Sequence, residues 1–306
     1  MKKNIEKIVF MGTPEFAVPC LEKLLEANYN VVGVITAPDR PAGRGKKLRM
    51  SAVKEFALSK NLTILQPTNL KNKYFQEELK ALQADIQVVV AFRMLPETVW
   101  NMPSMGSINL HASLLPQYRG AAPINWAIMN GEKETGVSTF FLQHEIDTGK
   151  IIFQEKIAIK KTDYLDVIYD KLMNIGAKLI VKTIDAVNEG NYPQIVQDHI
   201  KEIKHAPKIF KETCEIDWNE EVESIYNQIR GLSPYPTAWT KLENKTLKIY
   251  KANSISCKHA NENGFVEFTK EAIHFYCKNG YIEITELQLE GKKRMKTKDF
   301  LQGYKH

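Results

Sequence analysis

Apolar and amphipathic segments alternate along the N-terminal part of the chain, a pattern typical of an α/β fold. Residues 7–11, 30–36 and 85–91 are short apolar runs rich in β-branched side chains, and each predicts a buried strand. Helical spacing over 15–27 is carried by Phe16, Val18, Leu21, Leu24 and Leu25. Together these segments predict a βαβ opening.

The alternation continues as far as Gly190. Further strands are predicted at 63–65, 135–142 and 151–156. Further helices are predicted at 52–60 and 74–82. Ser51 is placed to cap the helix at 52–60. Asp163 is placed to open a long amphipathic helix that ends at Gly190, a residue type common just beyond a helix C-terminus.

The C-terminal part has a different pattern. Residues 191–208 are polar, contain two prolines and lack helical periodicity, so they predict a linker. A short helix is predicted at 222–230, and Thr297 is placed to cap another near 298–301. Short strands with turn signals follow the first helix at 237–242, 247–252, 264–269, 272–277 and 281–289. Such a series suggests a small β-barrel of the oligonucleotide-binding type.

The stretch 106–126, GSINLHASLLPQYRGAAPINW, carries the strongest chemical signal. Asn109 and His111 are two residues apart on a predicted strand and therefore point to the same face. Their amide and imidazole could bind an oxygen on which negative charge develops. The same pair could instead satisfy buried backbone groups at the strand end. Spacing alone does not decide between these interpretations.

Asp147 lies in a predicted turn, Asp-Thr-Gly, that follows one strand and precedes another. A carboxylate there could meet His111 and accept a proton from an attacking amine, directly or through water. An ordinary turn aspartate is the competing interpretation.

Charge is clustered rather than large in sum. The net charge is +6 over 306 residues, and hydrophobic residues make up 43%, as in ordinary globular proteins. Two basic clusters stand out: Arg40, Arg44, Lys46, Lys47 and Arg49 in the first, and Lys292, Lys293, Arg294, Lys296 and Lys298 in the second. Paired clusters suit a polyanion, although solvated surface is the simpler interpretation of each.

Cysteine spacing and hydropathy exclude several classes of protein. The 4 cysteines lie far apart without C-x-x-C spacing, which argues against a zinc site and a disulfide scaffold. The apolar run after the N-terminal lysines is broken by Gly12, Pro14 and Glu15, and no run is long enough to span a membrane. We therefore expect a soluble cytoplasmic protein that is not bound to a membrane.

Several segments together resemble the methionyl-tRNA formyltransferase family of the formyltransferase superfamily. They are GTPEFAVPCLEKLL, APDRPAGRGKKL, SINLHASLLPQYRGAAPINWAI and the DTG at 147–149, and they occur in the family's order. The resemblance covers nearly the whole chain. The Asn-x-His…Asp core marks the superfamily, and the PDRPAGRGKK loop with the C-terminal part marks the tRNA enzymes.

The resemblance implies a fold and domain boundaries. It implies a Rossmann-like formyltransferase domain with a mixed, mainly parallel sheet at 1–189, a linker at 190–208, and an OB-like β-barrel domain at 209–306. The last domain would bind tRNA. The protein is expected to act as a monomer.

The resemblance also implies roles for particular residues. Asn109 and His111 would stabilise the oxyanion, and Asp147 would orient His111 or a water and help remove the amine proton. Ser113, Leu114, Leu115 and Pro116 resemble the folate-binding loop. Residues implied in tRNA binding are Arg40, Arg44, Lys46, Lys47, Lys292, Lys293 and Arg294, with Arg44 at the position that senses the end of the acceptor stem. No metal is implied.

The implied reaction transfers the formyl group of 10-formyltetrahydrofolate to the α-amino group of methionyl initiator tRNA. Alternatives are a formyltransferase acting on an amino sugar nucleotide or on glycinamide ribonucleotide, and a formyltetrahydrofolate hydrolase that uses water as acceptor. A tRNA-binding protein with relic catalytic residues is a further alternative.

Two segments depart from the sequence patterns of related α/β proteins. The segment Phe92 to Pro96 is one residue shorter than in the family and has Arg93 near the usual glycine, at the border of the implied folate pocket. The first βα turn contains Gly12 but no G-x-G-x-x-G, so a nicotinamide-binding site with Asp39 on the ribose lacks its phosphate-binding loop.

Overall fold

The computed structural model describes residues 4–42, 47–197 and 202–304. Contacts divide the chain into two compact units. The first consists of Met1–Arg119, Gly136–Ile157 and Tyr169–Lys204, and the second of Gly120–Thr135, Ala158–Ile168 and His205–His306. Each unit is therefore assembled from separate stretches, while the boundaries at 189 and 208 remain a prediction.

Strands are numbered in chain order. They are β1 Ile8–Gly12, β2 Val31–Ile35, β3 Arg40–Ala42, β4 Lys47–Arg49, β5 Ile64–Leu65, β6 Ile86–Val90, β7 Ser107–His111, β8 Arg119–Gly120, β9 Glu134–Phe141, β10 Ile151–Ala158, β11 His205–Ala206, β12 Ala238–Leu242, β13 Lys245–Ser256, β14 Val266–Phe268, β15 Ile273–Cys277, β16 Gly280–Leu289 and β17 Met295–Lys296.

The helices are α1 Val18–Glu26, α2 Ala52–Ser59, α3 Lys73–Ala81, α4 Glu97–Trp100, α5 Pro123–Met129, α6 Leu165–Glu189, α7 Val222–Leu232 and α8 Thr297–Gln302. Short 3₁₀ turns lie at Glu15–Ala17 and Glu212–Cys214. Among the described residues, no helix is both long and apolar enough to cross a bilayer.

The first unit is built on a sheet with the order β10-β9-β7-β6-β1-β2-β5. Neighbouring strands from β7 to β5 are parallel, whereas β7 pairs with β9 antiparallel. Every residue of β1 and β6 is buried, as their continuous apolar sequences predict. The mixed, mainly parallel sheet is confirmed, and β7 lies inside it between β6 and β9.

The long helix α6 ends where the sequence predicts. Gly190 has φ +71°, and the backbone N–H groups of Gly190 and Asn191 donate to Val187 and Ala186 at 3.1 Å each. A left-handed residue that closes the last turn in this way is the common helix ending. The helix begins at Leu165, two residues after the predicted opening at Asp163.

The arginine-rich loop at 37–50 is a short hairpin of β3 and β4 at its described ends. Arg40 and Arg49 face each other across the two strands. At its base, Asp39 accepts hydrogen bonds from Lys54 at 2.6 Å and from Gln66 at 2.9 Å. Both carboxylate oxygens of Asp39 are therefore bound within the protein, which argues against a ribose-binding role for this residue.

The second unit contains an antiparallel sheet with the order β12-β13-β16-β15-β14, and β17 pairs with β16. Strand β13 has register shifts between Ile249 and Ala252, and such irregularities let a long strand bend. Apolar side chains of the sheet pack with α7 and with Phe300 of α8. This curled sheet is a half-barrel consistent with the predicted OB-like domain, and the α/β plus OB-like fold class is confirmed.

The predicted capping role of Thr297 is wrong. Thr297 is the first residue of α8, Lys296 is its N-cap, and no side chain caps the helix. The Thr297 hydroxyl is buried and has no hydrogen-bond partner among the described residues. The capping signal failed because strand β17 continues to Lys296 and sets the start of the helix one residue earlier.

Replacing Ser51 should destabilise the first unit. Its Oγ accepts from Lys54 N–H at 3.0 Å and shares a 2.7 Å hydrogen bond with the fully buried Thr36 hydroxyl. Ser51→Ala removes the cap of α2, worth about 1 kcal/mol of unfolding free energy, and leaves Thr36 without this partner. Thermal and urea unfolding should show the loss. Ser59→Ala, at the exposed end of the same helix, is the control, and an equal loss there would contradict the account.

Candidate active site

The end of β7 places two polar side chains on one face of the sheet. Asn109 pairs in register with Val89 of β6 and Phe140 of β9, so its backbone is fixed on both sides. His111 is the last residue of the strand and is buried. The Asn109 side chain is half-buried and has no hydrogen-bond partner within the described parts of the chain, which leaves its amide available to a ligand.

The tautomer of His111 follows from its neighbour. Its Nε2 lies 2.9 Å from the backbone carbonyl of Tyr118, and a carbonyl oxygen can only accept a hydrogen bond. Nε2 therefore carries a proton, and in the neutral ring Nδ1 has the free lone pair. Nδ1 is the nitrogen that faces Asp147, with Nδ1 and Oδ2 separated by 3.9 Å.

Asp147 lies opposite His111, as the sequence suggests. Both side chains are mostly shielded from solvent, with 8% of His111 and 14% of Asp147 exposed. Asp147 adopts φ +55° in the predicted turn between β9 and β10. Gly149 completes this turn, and a Cβ there would lie 1.8 Å from the carbonyl oxygen of Phe141. The turn is therefore held tightly against the end of β9.

A buried polar network fixes the loop that follows His111. Ser138 on β9 donates to the Ser113 carbonyl at 2.6 Å and accepts from the Leu115 N–H at 3.1 Å. Gln154 on β10 donates to the Leu115 carbonyl at 3.0 Å and to the Ser138 hydroxyl at 2.8 Å. The loop is consequently a rigid continuation of the sheet.

The four residues of the predicted folate-binding loop differ in exposure. Ser113 and Leu115 are buried, whereas Leu114 and Pro116 are partly exposed. The Ser113 hydroxyl donates to Gln117 O at 2.6 Å, and Leu115 packs with Phe140 and Ile151. The Leu115 side chain therefore belongs to the core.

Arg93 has a structural role in the segment Phe92 to Pro96. Its guanidinium donates to the Thr68 carbonyl at 2.9 Å and to the Pro67 carbonyl, and so ties the segment to the loop before α3. The pKa of Arg93 is lowered below its usual value, chiefly by partial burial and to a smaller extent by the positive charge of Arg40. Arg93 therefore anchors its segment on two carbonyls.

Only part of the first predicted tRNA-binding cluster lies within the described structure. Arg40 is exposed on β3. Arg44 and Lys46 lie outside the described residues, and of Lys47 only the backbone is described, in β4.

The second cluster is divided in its contacts. Lys292 and Lys293 are exposed in the turn after β16. Arg294 is instead bound to Glu286 at 2.6 Å and stacks over the Tyr250 ring at 4.1 Å. The hydrogen bond from Arg294 lowers the pKa of Glu286 and so stabilises its charged form. The structure therefore leaves the two lysines as the free cations of this turn.

Two residues near the candidate catalytic group were not singled out in the sequence. Gln197 is buried and donates to the carbonyls of Asp147 and Gly149, and Arg119 donates to Gln197. Sequence pattern gave no signal for Gln197, because it lies in a polar stretch without periodicity. Among the described residues, no group of three or more His, Cys, Asp or Glu side chains could hold a metal ion.

The mixed sheet, the Asn-x-His strand end and the apposed aspartate define an α/β protein with a candidate acid–base site and an added antiparallel β-domain. Two family models match the chain in order: Formyl transferase over residues 6–184, and Formyl transferase, C-terminal domain over residues 208–305. The chain therefore belongs to the formyl transferase family.

Similar curated proteins cover the chain from end to end. The methionyl-tRNA formyltransferase of Bacteroides thetaiotaomicron is 52% identical over 314 residues, covering 100% of this chain and 98% of that protein. That of Parabacteroides distasonis is 54% identical over 316 residues with the same coverage. That of Flavobacterium johnsoniae is 52% identical over 301 residues, with 97% and 96% covered.

Solved structures share the fold at lower identity. WlaRD, a sugar 3N-formyl transferase solved with dTDP and 5-N-formyl-THF, has a TM-score of 0.69 and 22% identity over 95% of this chain and 100% of its own. HypX from Aquifex aeolicus in complex with tetrahydrofolic acid has a TM-score of 0.66 and 16% identity over 98% of this chain and 47% of its own. At these identities the similarity concerns the fold alone.

Proposed function

We propose that the chain transfers the formyl group of 10-formyltetrahydrofolate to the α-amino group of methionyl initiator tRNA. The observation that carries this proposal is identity of 52% and 54% along the whole chain to methionyl-tRNA formyltransferases. Fold-level neighbours include enzymes with other acceptors, so the acceptor is inferred from the full-length relatives. The folate is a co-substrate that leaves as tetrahydrofolate.

The pair of His111 and Asp147 provides the proton acceptor. As the neutral amine attacks the formyl carbon, its nitrogen becomes positively charged and must lose a proton. Asp147 and the Nδ1 lone pair of His111, separated by 3.9 Å, can together take up one proton, directly or through water. The formyl C–N bond then breaks, and a proton passes to N10 of the departing folate.

Asn109 is the neutral donor to the oxyanion in this proposal. Its amide points from the same strand face as His111 and makes no hydrogen bond to any described residue. Once Nδ1 holds the amine proton, the His111 imidazolium adds positive charge near the developing oxyanion. One preorganised donor of this kind typically contributes about 10²–10³ in rate.

The loop Ser113 to Pro116 holds the folate in this proposal. Backbone groups of Ser113 and Leu115 are fixed by Ser138 and Gln154, so the loop can present Leu114 and Pro116 without reorganising. Partly exposed apolar side chains on a rigid loop suit the flat, largely apolar ring system of a folate.

The β3–β4 hairpin contacts the tRNA in this proposal. Arg40 and Arg49 face each other across the two strands. Like charges placed directly opposite are unfavourable in isolation, and a phosphate would relieve their repulsion. The roles of Arg44, Lys46 and Lys47 rest on the family resemblance. Lys292 and Lys293 supply a second phosphate contact, and Arg294 supports their turn through Glu286.

Removing both free lysines should weaken tRNA binding and its salt dependence. In Lys292→Ala/Lys293→Ala, KM for the tRNA should rise several-fold while kcat is kept. The slope of log affinity against log salt should shrink by about 1 to 2, because each phosphate contact releases roughly one counterion. Steady-state kinetics at several salt concentrations would measure this. Lys278→Ala, whose lysine is paired with Glu221, is the control, and equal effects of the two variants would contradict the role.

The proposal further places the protein in the cytoplasm as a monomer with domains at 1–189 and 209–306. Translation initiation supplies the acceptor in that compartment, and one chain contains Asn109, His111 and Asp147. Light scattering of the purified protein would test the oligomeric state, and a dimer at micromolar concentration would contradict it.

A competition among acceptors tests the function. Purified protein and 10-formyltetrahydrofolate are incubated separately with methionyl initiator tRNA, methionyl elongator tRNA, an amino sugar nucleotide and buffer alone. We expect rapid formylation of the initiator tRNA and much slower reaction elsewhere. Faster formylation of the sugar nucleotide would assign the protein to the sugar branch, and tetrahydrofolate release in buffer alone at the same rate would assign it to the hydrolases.

A further inference from the structure

Gln197 lies behind the turn that carries Asp147. Its Nε2 donates to the backbone carbonyls of Asp147 at 2.9 Å and Gly149 at 2.8 Å. Its Oε1 accepts from Arg119 Nε at 3.1 Å and Nη2 at 2.6 Å. Only 6% of the residue is exposed. One buried amide therefore joins the two ends of the Asp147 turn to an arginine that follows the His111 loop.

All four hydrogen-bonding positions of this amide are occupied. A glutamine offers two N–H donors and two acceptor lone pairs, and each meets a partner of the opposite kind. The partners also fix the orientation of the amide. Carbonyl oxygens cannot donate and a guanidinium cannot accept, so the reversed amide would break every one of these bonds.

The segment carrying Gln197 is itself anchored. Two residues earlier, Ile195 and Ile151 exchange backbone hydrogen bonds of 2.8 and 2.9 Å. Ile151 is the first residue of β10, directly after the Asp147 turn. The segment of Gln197 is thus anchored to the sheet through Ile195, and its side chain is anchored by Arg119. The Gln197 amide therefore has little freedom to follow a displaced turn.

Asp147 needs such support because its backbone is in an uncommon conformation. At φ +55° it occupies the left-handed region, which L-residues other than glycine adopt at some cost. Its Oδ2 lies 3.9 Å from His111 Nδ1 only while the turn keeps this conformation. The carbonyls on both ends of the turn are the groups that Gln197 binds.

We propose that Gln197 is a positioning residue for the formyl-transfer reaction, acting through Asp147 and held in register by Arg119. The proposal rests on the proposed function in assuming that Asp147 handles the proton of the attacking amine. Gln197 touches no reacting atom. Its effect is to keep the Asp147 carboxylate at the working distance from His111, and a displacement of roughly 1 Å there can lower the rate about 10²-fold.

The test replaces Gln197 and a matched glutamine. Gln197→Leu keeps the approximate volume and removes all four hydrogen bonds. Gln228→Leu is the control, because Gln228 Nε2 also donates to two backbone carbonyls, those of Thr213 and Glu215 at 3.0 Å each. Each variant loses a pair of hydrogen bonds from a glutamine amide to two backbone carbonyls, but only the pair made by Gln197 includes the carbonyl of Asp147. Circular dichroism and thermal unfolding establish the folded fraction to which kcat is normalised.

We expect Gln197→Leu to lower kcat about 10–100-fold, with KM for methionyl-tRNA changed less than about twofold, while Gln228→Leu keeps kcat. Gln197→Glu should be at least as harmful as Gln197→Leu, because it turns a carboxylate oxygen toward two carbonyls while keeping the contact with Arg119. Equal kcat losses in Gln197→Leu and Gln228→Leu would overturn the proposal, since a loss of general stability explains them.

A double-mutant cycle with Asp147 separates positioning from a merely structural role. In the Asp147→Asn background, Gln197→Leu should lower kcat less than about twofold, because a residue that acts through the carboxylate has nothing left to position. A full additional loss in that background would overturn the proposal. If wild-type protein forms no formyl-methionyl-tRNA, the proposed function fails first. Tetrahydrofolate release, compared across the wild type, the two single variants and the double variant of this cycle, would still show whether Gln197 and Asp147 are coupled.

Discussion

Replacement of His111 by asparagine should lower kcat for formyl transfer by about 10³-fold or more, whereas binding of methionyl-tRNA should change little. In the proposed mechanism, His111 takes part in two effects at once, proton uptake with Asp147 and stabilisation of the oxyanion. General-base catalysis typically contributes about 10²–10⁴ in rate and an oxyanion donor about 10²–10³. Single-turnover formylation with excess enzyme measures the chemical step, and tRNA binding is measured separately by filter retention.

His144 is the matched control for this prediction. It lies in the same β9–β10 connection as Asp147, but 81% of its side chain is exposed and its contact is with Glu97 at 3.6 Å. His144→Asn should therefore retain kcat within about twofold. A loss in His144→Asn comparable to that in His111→Asn would contradict the assignment of the proton acceptor to the buried histidine.

Replacement of Gly149 by alanine should nearly abolish activity without unfolding the sheet. The added Cβ would lie 1.8 Å from Phe141 O and 2.9 Å from Phe140 Cδ2, so the turn has to move away from the end of β9. Movement there breaks the hydrogen bond from Gln197 to Gly149 and displaces Asp147 from His111. Misplacement by about 1 Å accounts for a loss of roughly 10²-fold in kcat.

Gly303→Ala is the control for the glycine variant, because a Cβ at Gly303 has no atom within 4 Å. Formylation kinetics and thermal unfolding of both variants would check the prediction. A Gly149→Ala protein with wild-type kcat would show that the Asp147 turn tolerates displacement, and it would weaken the proposed role of Gln197 with it.

Local pattern predicted the elements that depend on local sequence. A strand that carries Asn109 and His111 was predicted, and the observed strand β7 ends at His111. The end of α6 at Gly190 and the capping of α2 by Ser51 were likewise expected, because each depends on a few adjacent residues. The mixed, mainly parallel sheet was implied by the family resemblance. The order of its strands was not predicted, since apolar runs do not specify their neighbours.

Non-local contacts could not be predicted from the sequence. Gln197 is 78 residues from Arg119 and 50 from Asp147, and nothing in its neighbours indicates those partners. The bond between His111 Nε2 and the Tyr118 carbonyl, which fixes the tautomer, also depends on how a loop without periodicity folds back. A pattern in sequence identifies a strand end, but its hydrogen-bond partners come from the tertiary fold.

Basic clusters were predicted as groups, and the structure distinguishes their members. Arg294 is neutralised by Glu286 and stacked on Tyr250, whereas Lys292 and Lys293 extend from the turn. Arg93 is directed to the carbonyls of Pro67 and Thr68. Charge counting along a sequence cannot make these distinctions, because they depend on acceptors that other elements provide.

In the proposed reaction, one formyl group passes from folate to the methionyl amine for each folate consumed. The most direct measurement mixes a limiting amount of 10-formyltetrahydrofolate with enzyme and an excess of methionyl initiator tRNA. It then counts the tetrahydrofolate and the formyl-methionyl-tRNA that are formed. The account predicts one formyl-methionyl-tRNA for each tetrahydrofolate formed, and loss of both in the Asn109→Ala/His111→Asn variant. Tetrahydrofolate formed without formyl-methionyl-tRNA, or formylation unchanged in that variant, would contradict it.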